Sequence, residues 1–365
     1  MGKYLVDSHL LSNHFVIEVL PLRSSRSTKD LGRFRFGKVM EFVVAGARLT
    51  TACMFRRPAF VYFTITPNGM AFYRDLLYVA IMKCFGVMRV YHLHGKGIRS
   101  MAQGNFTRCL FRWTFSRAKV ILLSPLLYED ISHLVNRSNC CFLPNGIPDV
   151  SKGYTYLKNT DTVGIPRILF FSNMMRSKGI LVLLEALNAL NLAGVSFRSA
   201  FAGEWESKST EDAFYKTIRE NGLKEVVEYV GARYSREKEE LFSASDIFSF
   251  PTMNDSFPVV ILEAMRHGLP VIATDEGAIP DIVEEGTTGF LVPKGDHKML
   301  TERLNRLIHD TELRSRMGEA GRARFLNHFT IETFERNALS VFTMLLAEKL
   351  SDACSKPNLE DQGRV

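Results

Sequence analysis

Short apolar runs alternate with segments of helical periodicity along most of this chain. The runs predicted as buried strands include Ala59–Thr64, Lys119–Ser124, Arg167–Ser172, Phe197–Ala202 and Ile247–Pro251. Between such runs, apolar residues recur at the spacing of a helix, as in residues 70–85 and Ile180–Ala193. This alternation predicts an α/β protein with parallel sheets. Phe15–Val19 is also predicted as a strand.

Composition places the chain among ordinary globular proteins. Its 365 residues are enough for one large or two ordinary domains, and 46% of them are hydrophobic and 23% charged. No apolar run is long enough to span a membrane, so we expect neither a membrane span nor a secretory leader. The six cysteines show no metal-ligand spacing, so we expect a reduced, cytoplasmic protein. No metal or cofactor is expected, and no Asp-x-Asp metal motif appears in the sequence.

Positive charge is concentrated in the first part of the chain. Residues 1–150 hold 20 Lys and Arg against 8 Asp and Glu, a net charge of +12, whereas the whole chain carries +7. This half is expected to contact an anionic membrane surface peripherally, on its inner face, or to meet a phosphorylated acceptor. A merely solvated basic surface is an equally open interpretation. Nucleic acid is not expected, because no recognised binding motif accompanies the charge.

Two carboxylates flank a predicted helix start late in the chain. Asp255 follows the apolar run Ile247–Pro251, and Glu263 lies eight residues later, two turns into a helix whose apolar positions include Val259 and Val260. A helix start offers unpaired backbone N–H groups and a partial positive charge, which suit an anion. This arrangement matches a diphosphate sugar, with phosphate on the amides and hydroxyls on the two acids.

The same stretch resembles glycosyltransferase family 4. The resemblance rests on an acid, seven residues and then Glu263-Ala264-Met265, followed by Gly268–Thr274 and Gly277–Asp281. The family pattern usually opens with Glu, and here Asp255 keeps the charge with a shorter reach. The resemblance implies a retaining, metal-independent enzyme with the GT-B fold, in which two Rossmann-like domains face each other across a cleft.

The resemblance also implies a donor-binding set in the second domain. Lys178 and Arg176 follow the strand Arg167–Ser172 as candidate diphosphate ligands, and Asn173 stands where many relatives have Arg. A lysine at a helix start is disfavoured unless an anion binds there. The other implied donor contacts are Gly203, Gly231, Arg233, Ser256, Phe257, Val259 and Val260. Asp255 would hold the donor sugar and Glu263 the ribose.

A helix is predicted to begin at Ser235. Ser235 is expected to cap it, although Lys238 stands where a capping box carries Glu or Gln.

In the first domain the informative stretch is Arg89–Gly97, an apolar strand that ends in histidine and a glycine-rich turn. Alternation along the strand puts His92 and His94 on one face. The resemblance implies that a histidine here touches the donor sugar or the acceptor, and His94 is the better match. Lys96 and Arg99 are candidate ligands of an acceptor phosphate.

The predicted domains follow from these motifs. An N-terminal acceptor-binding domain covers residues 1–147, and a nucleotide-sugar domain covers 148–330. A helix at 331–350 crosses back to the first domain, and 351–365 form a disordered tail. Met1–Ser8 is predicted as a helix where relatives begin with a strand, so we expect the first strand of the N-terminal domain to be missing.

The implied reaction moves a sugar from a UDP- or GDP-sugar to a glycan or lipid-linked acceptor, as in surface polysaccharide synthesis. Lys178 and the helix amides would stabilise the leaving diphosphate without a metal. A degenerate, non-catalytic GT-B protein and a GT-B sugar-nucleotide epimerase or hydrolase remain alternatives. A dinucleotide dehydrogenase is disfavoured, because no G-x-G-x-x-G follows a strand.

Overall fold

A computed structural model describes residues 1–20, 36–66, 69–150 and 164–354 of the chain. The described strands are β1 Phe60–Phe63, β2 Met88–Leu93, β3 Ala118–Leu122, β4 Cys140–Phe142, β5 Arg167–Phe171, β6 Arg198–Ala202, β7 Val227–Gly231, β8 Ile247–Phe250, β9 Val271–Thr274 and β10 Gly289–Val292. Those predicted from the apolar runs are confirmed, with the exception of Phe15–Val19.

Helices connect these strands. They are α1 Gly2–Asp7, α2 His9–Ser12, α3 Phe36–Thr51, α4 Gly69–Cys84, α5 Ile98–Met101, α6 Asn105–Phe115, α7 Ile180–Leu192, α8 Lys208–Glu220, α9 Ser235–Ser243, α10 Val259–Arg266, α11 Ile279–Ile282, α12 His297–His309, α13 Thr311–His328 and α14 Ile331–Cys354. A π-helical turn, Ala52–Arg56, continues α3. Among the described helices, none is long and apolar enough to cross a membrane.

The chain divides into two compact units. The first comprises Met1–Leu123, Tyr128–Leu143 and the described residues from Glu335 onward, and the second comprises Ser124–Leu127 and Pro144–Phe334. Each unit contains one parallel sheet with helices connecting its strands. The predicted tail begins inside α14, since this helix reaches Cys354, and residues 355–365 lie outside the described part of the chain.

The first unit has a four-stranded sheet in the order β1-β2-β3-β4. Its core is formed by buried residues such as Val79, Met82, Tyr91, Phe111 and Val120. The last helix packs against β1 within this unit, where the ring of Phe342 lies 5.6 Å from that of Phe60 and 5.7 Å from that of Tyr62. Lys349 of the same helix donates a hydrogen bond to the backbone oxygen of Ala59 at 2.5 Å.

The predicted strand Phe15–Val19 is wrong. These residues have no strand pairing, and Val16, Ile17 and Val19 are exposed. Phe15 packs edge-on against Phe342, with 6.2 Å between the rings. Apolar residues alone do not make a strand, because the backbone groups also need a neighbouring strand for hydrogen bonding. Within the described residues, no strand precedes β1.

The second unit has a six-stranded parallel sheet in the order β10-β9-β8-β5-β6-β7. Taken from β5 outward in both directions, this is the doubly wound dinucleotide-fold order 3-2-1-4-5-6. Its strands are nearly continuous apolar runs, as in Ile247–Phe250, where all four residues are buried. Burial on both faces is typical of parallel sheets covered by helices. The order predicts a ligand crevice between β5 and β8, where the winding direction reverses.

Candidate functional site

The crevice of the second unit lies at the carboxyl ends of β5 and β8. These strands are neighbours, with Ile168 beside Ile247 and Leu169 beside Phe248. The loops that follow them are joined by a hydrogen bond from the Met253 N–H to the Ser177 oxygen at 2.8 Å. Residues 172–179 and 251–258 therefore form adjacent walls at the point where ligands bind in open α/β sheets.

Lys178 and Asp255 meet between these two loops. The Lys178 ammonium donates to Asp255 Oδ2 at 2.6 Å and to the Asn254 oxygen at 3.2 Å. Both side chains are largely buried, with 19% and 16% of their surfaces exposed. An ammonium has three N–H donors, so a third remains after these two bonds. The ion pair thus fixes Lys178 in place and leaves one donor for a ligand.

The Asp255 loop depends on a glycine in the neighbouring loop. Gly277 has φ +58°, and a Cβ there would lie 2.3 Å from the Asp255 backbone oxygen. The Asp255 N–H donates to Glu276 Oε1 at 3.3 Å, and the Ala278 N–H donates to the Ser256 oxygen at 2.8 Å. Main chain packed against main chain therefore sets the position of Asp255.

The N-terminus of α10 lies immediately after this loop. Pro258 is the N-cap, and no side chain caps the helix. The N–H groups of Val259 and Val260 belong to the first turn and have no acceptor within the helix. Both residues are partly exposed, whereas Phe257 is buried and anchors the turn. The two amides predicted as phosphate donors are therefore present at an uncapped helix start.

Glu263 is paired with a residue that the sequence did not mark as part of the site. Lys238 of α9 donates to Glu263 Oε1 at 2.6 Å, and their side chains are 23% and 14% exposed.

The expected cap of α9 is wrong, because Tyr234 is the N-cap and Ser235 is the first helical residue, with φ +47°. The one sequence feature that distinguished Lys238 from other charged helix residues was its position, where a capping box would carry Glu or Gln.

The remaining predicted donor ligands are spread around the same crevice. Gly203, at the end of β6, has φ +148°, and a Cβ there would lie 1.7 Å from the Ser172 oxygen, so the close approach of β6 to the β5 loop requires glycine. Asn173 and Arg176 are exposed in that loop. Gly231 ends β7 with φ +80°, and Arg233 forms an ion pair with Glu237 at 3.7 Å. The donor contacts of these residues stay predictions.

In the first unit, β2 ends in the predicted histidine pair. The rings of His92 and His94 lie 4.1 Å apart, so the expected shared face is confirmed. His92 is fully buried, and a 2.5 Å hydrogen bond joins its Nδ1 to the Tyr62 hydroxyl. Burial lowers the pKa of His92 well below its ordinary value, and the charge of His94 adds to this. His94 is partly exposed, and it is the one of the pair with solvent access.

Lys96 and Arg99 lie in and after the turn that follows β2. The Arg99 guanidinium pairs with Glu129 at 2.7 Å and donates to Ser132 Oγ at 3.0 Å. Asp130 accepts hydrogen bonds from the N–H groups of Gly97, Ile98 and Arg99, which shapes this turn. An acceptor phosphate would have to share Arg99 with Glu129. The acceptor roles of Lys96 and Arg99 stay predictions.

His, Cys, Asp and Glu side chains are the usual metal ligands of proteins. Within the described ranges, no group of three or more is arranged to hold a metal ion.

The second unit is similar in sequence to known glycosyltransferases. Residues 159–324 match the family model described as "Glycosyl transferases group 1". A putative colanic acid biosynthesis glycosyltransferase of Salmonella typhimurium is 32% identical over 160 residues, which cover 40% of this chain and 38% of that protein. A capsular polysaccharide biosynthesis glycosyltransferase of Staphylococcus aureus is 28% identical over 49% of this chain and 46% of its own length. The chain thus spans less than half the length of these curated relatives.

Solved structures extend the likeness over most of the chain. A glycosyltransferase from Rickettsia africae aligns with a TM-score of 0.70 and 18% identity, over 86% of this chain and 84% of that one. Anabaena HepE, solved in complex with UDP, aligns with a TM-score of 0.68 and 20% identity, over 82% of each chain. These likenesses confirm the predicted GT-B fold.

The packing around Gly277 predicts a specific loss of stability. Gly277→Ala combines a left-handed backbone, which costs an L residue about 1–2 kcal/mol, with a Cβ that meets the Asp255 backbone oxygen. Gly286→Ala is the matched control, because Gly286 has φ +75° and nothing within 4 Å of its Cβ position. Thermal unfolding should show a larger fall in Tm for Gly277→Ala. Equal falls would mean that the Asp255 loop does not depend on Gly277.

The lowered pKa of His94 predicts that the stability of the protein depends on pH. Burial, reinforced by the positive amino terminus, lowers its pKa from 6.5 to about 4. The unfolded chain therefore binds a proton before the folded one does, and this contribution to stability is present above pH 6.5 and lost as pH falls towards 4. His94→Gln should flatten the dependence of the urea midpoint on pH across this range. The exposed His309→Gln is the control, and an unchanged slope in His94→Gln would contradict the assignment.

Proposed function

We propose that this chain, whose residues 159–324 match the group 1 glycosyltransferase model, transfers a sugar from a nucleotide-diphosphate donor to a glycan or lipid-linked acceptor. The observation that carries the proposal is the pairing of each predicted acid with a lysine, Asp255 just before α10 and Glu263 within it. Such a site offers cations and amides for a diphosphate and carboxylates for hydroxyls.

The diphosphate would bind at the β5 and β8 loops. Lys178 retains one N–H donor after its bonds to Asp255 and Asn254. The Val259 and Val260 amides lie at the uncapped start of α10 and add the helix dipole. Arg176 is an exposed cation two residues before Lys178 and would add charge at the open side. Together these groups would stabilise the charge that develops on the leaving diphosphate.

The two acids would then orient the sugars on either side. Asp255 is held at the loop beside Lys178 and would accept from donor-sugar hydroxyls. Glu263 lies one further turn into α10 and would accept from the ribose. We assign no protein nucleophile. Retention, by attack on the face that the diphosphate leaves, and independence from metal remain parts of the proposal.

The choice of donor and acceptor is supported by the named relatives. HepE was solved with UDP and also with UDP-glucose, which makes a UDP-sugar the first donor to test. The two curated relatives carry names from colanic acid and capsular polysaccharide biosynthesis. We therefore place this protein in cytoplasmic synthesis of a surface polysaccharide, as a member of family 4. GDP-sugars are the second donor class.

Peripheral membrane contact is a further part of the proposal, and the outer face of α3 supports it. This face and the π-helical turn that follows expose apolar side chains at helical spacing, namely Met40, Val43, Val44, Met54 and Phe55. Exposed arginines at 48, 56 and 57 accompany them. Apolar residues flanked by cations suit a membrane surface that carries anionic lipid. A lipid-linked acceptor would be presented at such a surface.

Donor binding gives the direct test of the proposed activity. Wild type should bind UDP or GDP in the presence of EDTA, measured by calorimetry. Lys178→Ala should weaken binding roughly 10- to 150-fold, since a hydrogen bond to a charged group contributes about 1.5–3 kcal/mol. Lys216→Ala is the control, because Lys216 is exposed on α8 and forms an ion pair with Glu220 of the same helix.

Turnover then separates the remaining alternatives. Release of UDP or GDP from the sugar nucleotide, with transfer to an acceptor, supports the transferase. Tight binding without turnover of any sugar nucleotide would favour the degenerate protein, and conversion of the donor sugar without transfer would favour the epimerase. Absence of binding to both nucleotides contradicts the proposal.

Vesicle flotation tests the membrane contact. We expect the protein to float with vesicles of phosphatidylcholine and phosphatidylglycerol. With vesicles of phosphatidylcholine alone, it should remain at the bottom of the gradient. The double variant V43Q/F55Q should bind the anionic vesicles several-fold more weakly, because it removes two exposed apolar contacts. Leu192→Gln is the control, as Leu192 is exposed on α7 in the other unit. Equal binding by the double variant would contradict this surface.

A further inference from the structure

Lys238 forms its shorter ion pair with a distant residue and not with its neighbour on the same helix. It lies on α9 next to Glu239 in sequence, yet its ammonium is 2.6 Å from Glu263 Oε1 and 3.9 Å from Glu239 Oε1. The closer partner is therefore the acid of the donor site, 25 residues away. Among the described residues, no donor bonds Glu263 Oε2, so this oxygen remains for a ligand.

Lys238 is itself held by a chain of alternating charges. Glu239 Oε2 accepts from the Arg266 guanidinium at 2.5 Å and from His267 Nε2 at 2.7 Å. Burial alone would raise the pKa of Glu239, but the hydrogen bond from His267 and the charge of Arg266 outweigh it and lower the pKa. Glu239 is thus ionised and stabilises the lysine beside it. The order of charges is Glu263, Lys238, Glu239 and Arg266, alternately negative and positive.

Helical spacing places this network on one helix pair. Lys238 and Glu239 are consecutive on α9. Glu263 and Arg266 of α10 and its C-cap His267 stand at i, i+3 and i+4 and so share a face. Arg266 also donates to the Pro148 oxygen at 3.0 Å. Most of these side chains are 5–14% exposed. The carboxylate of Glu263 is therefore fixed from its Oε1 side by a buried array.

We propose that Lys238 is a positioning residue, which holds the Glu263 carboxylate so that its other oxygen faces the 2′- and 3′-hydroxyls of the donor ribose. The inference rests on the proposed function, because it assumes that Glu263 binds ribose. Lys238 acts through Glu263 and does not touch the reacting atoms. It also compensates the charge of Glu263, which would otherwise repel the diphosphate at short range.

These two effects of Lys238 can be separated with a nucleotide that lacks the hydroxyls. Loss of charge compensation weakens binding of any nucleoside diphosphate, whereas loss of positioning weakens only those with ribose hydroxyls. The ratio of the Kd values for 2′,3′-dideoxy-UDP and UDP therefore reports positioning alone, as in a double-mutant cycle. The corresponding guanosine pair serves if GDP is the nucleotide that the wild type binds.

The experiment measures this ratio by calorimetry in EDTA for four proteins. Wild type should prefer UDP over its dideoxy form about tenfold, as expected for one or two hydrogen bonds to a charged group. Lys238→Met should reduce the preference to less than about threefold, and Lys238→Arg, which keeps a charged donor, should restore most of it. Lys216→Met is the control, on an exposed lysine of α8. Circular dichroism establishes that each variant is folded.

The outcomes separate the inference from the proposed function. An unchanged preference in Lys238→Met, or a preference lost equally in Lys216→Met, overturns the positioning role while donor binding stands. If Lys238→Met does not fold, Lys238→Gln replaces it, with the same expected loss of preference. A wild type that binds neither nucleotide contradicts the proposed function and also the positioning role of Lys238, which depends on it.

Discussion

A carboxylate held mostly out of water must face positive charge, because its desolvation is otherwise not compensated. This constraint governs the crevice of the second unit. Asp255 and Glu263, which are only 16% and 14% exposed, are each bonded to a lysine at 2.6 Å. The two pairs tie the β5 loop to the β8 loop and α9 to α10. The strand order supplies this meeting point, since the loops after β5 and β8 become neighbours where the winding reverses.

The same ion pairs suit a ligand that carries both phosphate and hydroxyl groups. A lysine with a remaining donor can bind phosphate without giving up its carboxylate partner. A carboxylate with one oxygen engaged can still accept a hydroxyl through the other. The acids, lysines and helix amides would then act together on a sugar nucleotide, with little rearrangement of the protein. Such preorganisation would let the site stabilise charge on the leaving diphosphate.

Much of the second unit was predictable because its strands and site residues are marked by short, local sequence patterns. Buried strands such as Ile247–Phe250 are uninterrupted apolar runs, and the acids and Lys178 stand at fixed distances from strand ends and helix starts. Lys238 was not predicted, because its bond to Glu263 joins residues 25 apart and its sequence neighbours look like an ordinary charged helix. The prediction of a strand at Phe15–Val19 was wrong for a related reason. Strand formation needs a partner that the segment itself does not specify.

The most direct measurement is a crystal structure of the protein with UDP, or with GDP if that nucleotide binds. We expect the diphosphate to lie within hydrogen-bond distance of Lys178 and the first amides of α10. The ribose hydroxyls should bind Glu263, with Lys238 still bound to Oε1. A nucleotide bound elsewhere, with the Lys178–Asp255 and Lys238–Glu263 pairs untouched, would contradict it.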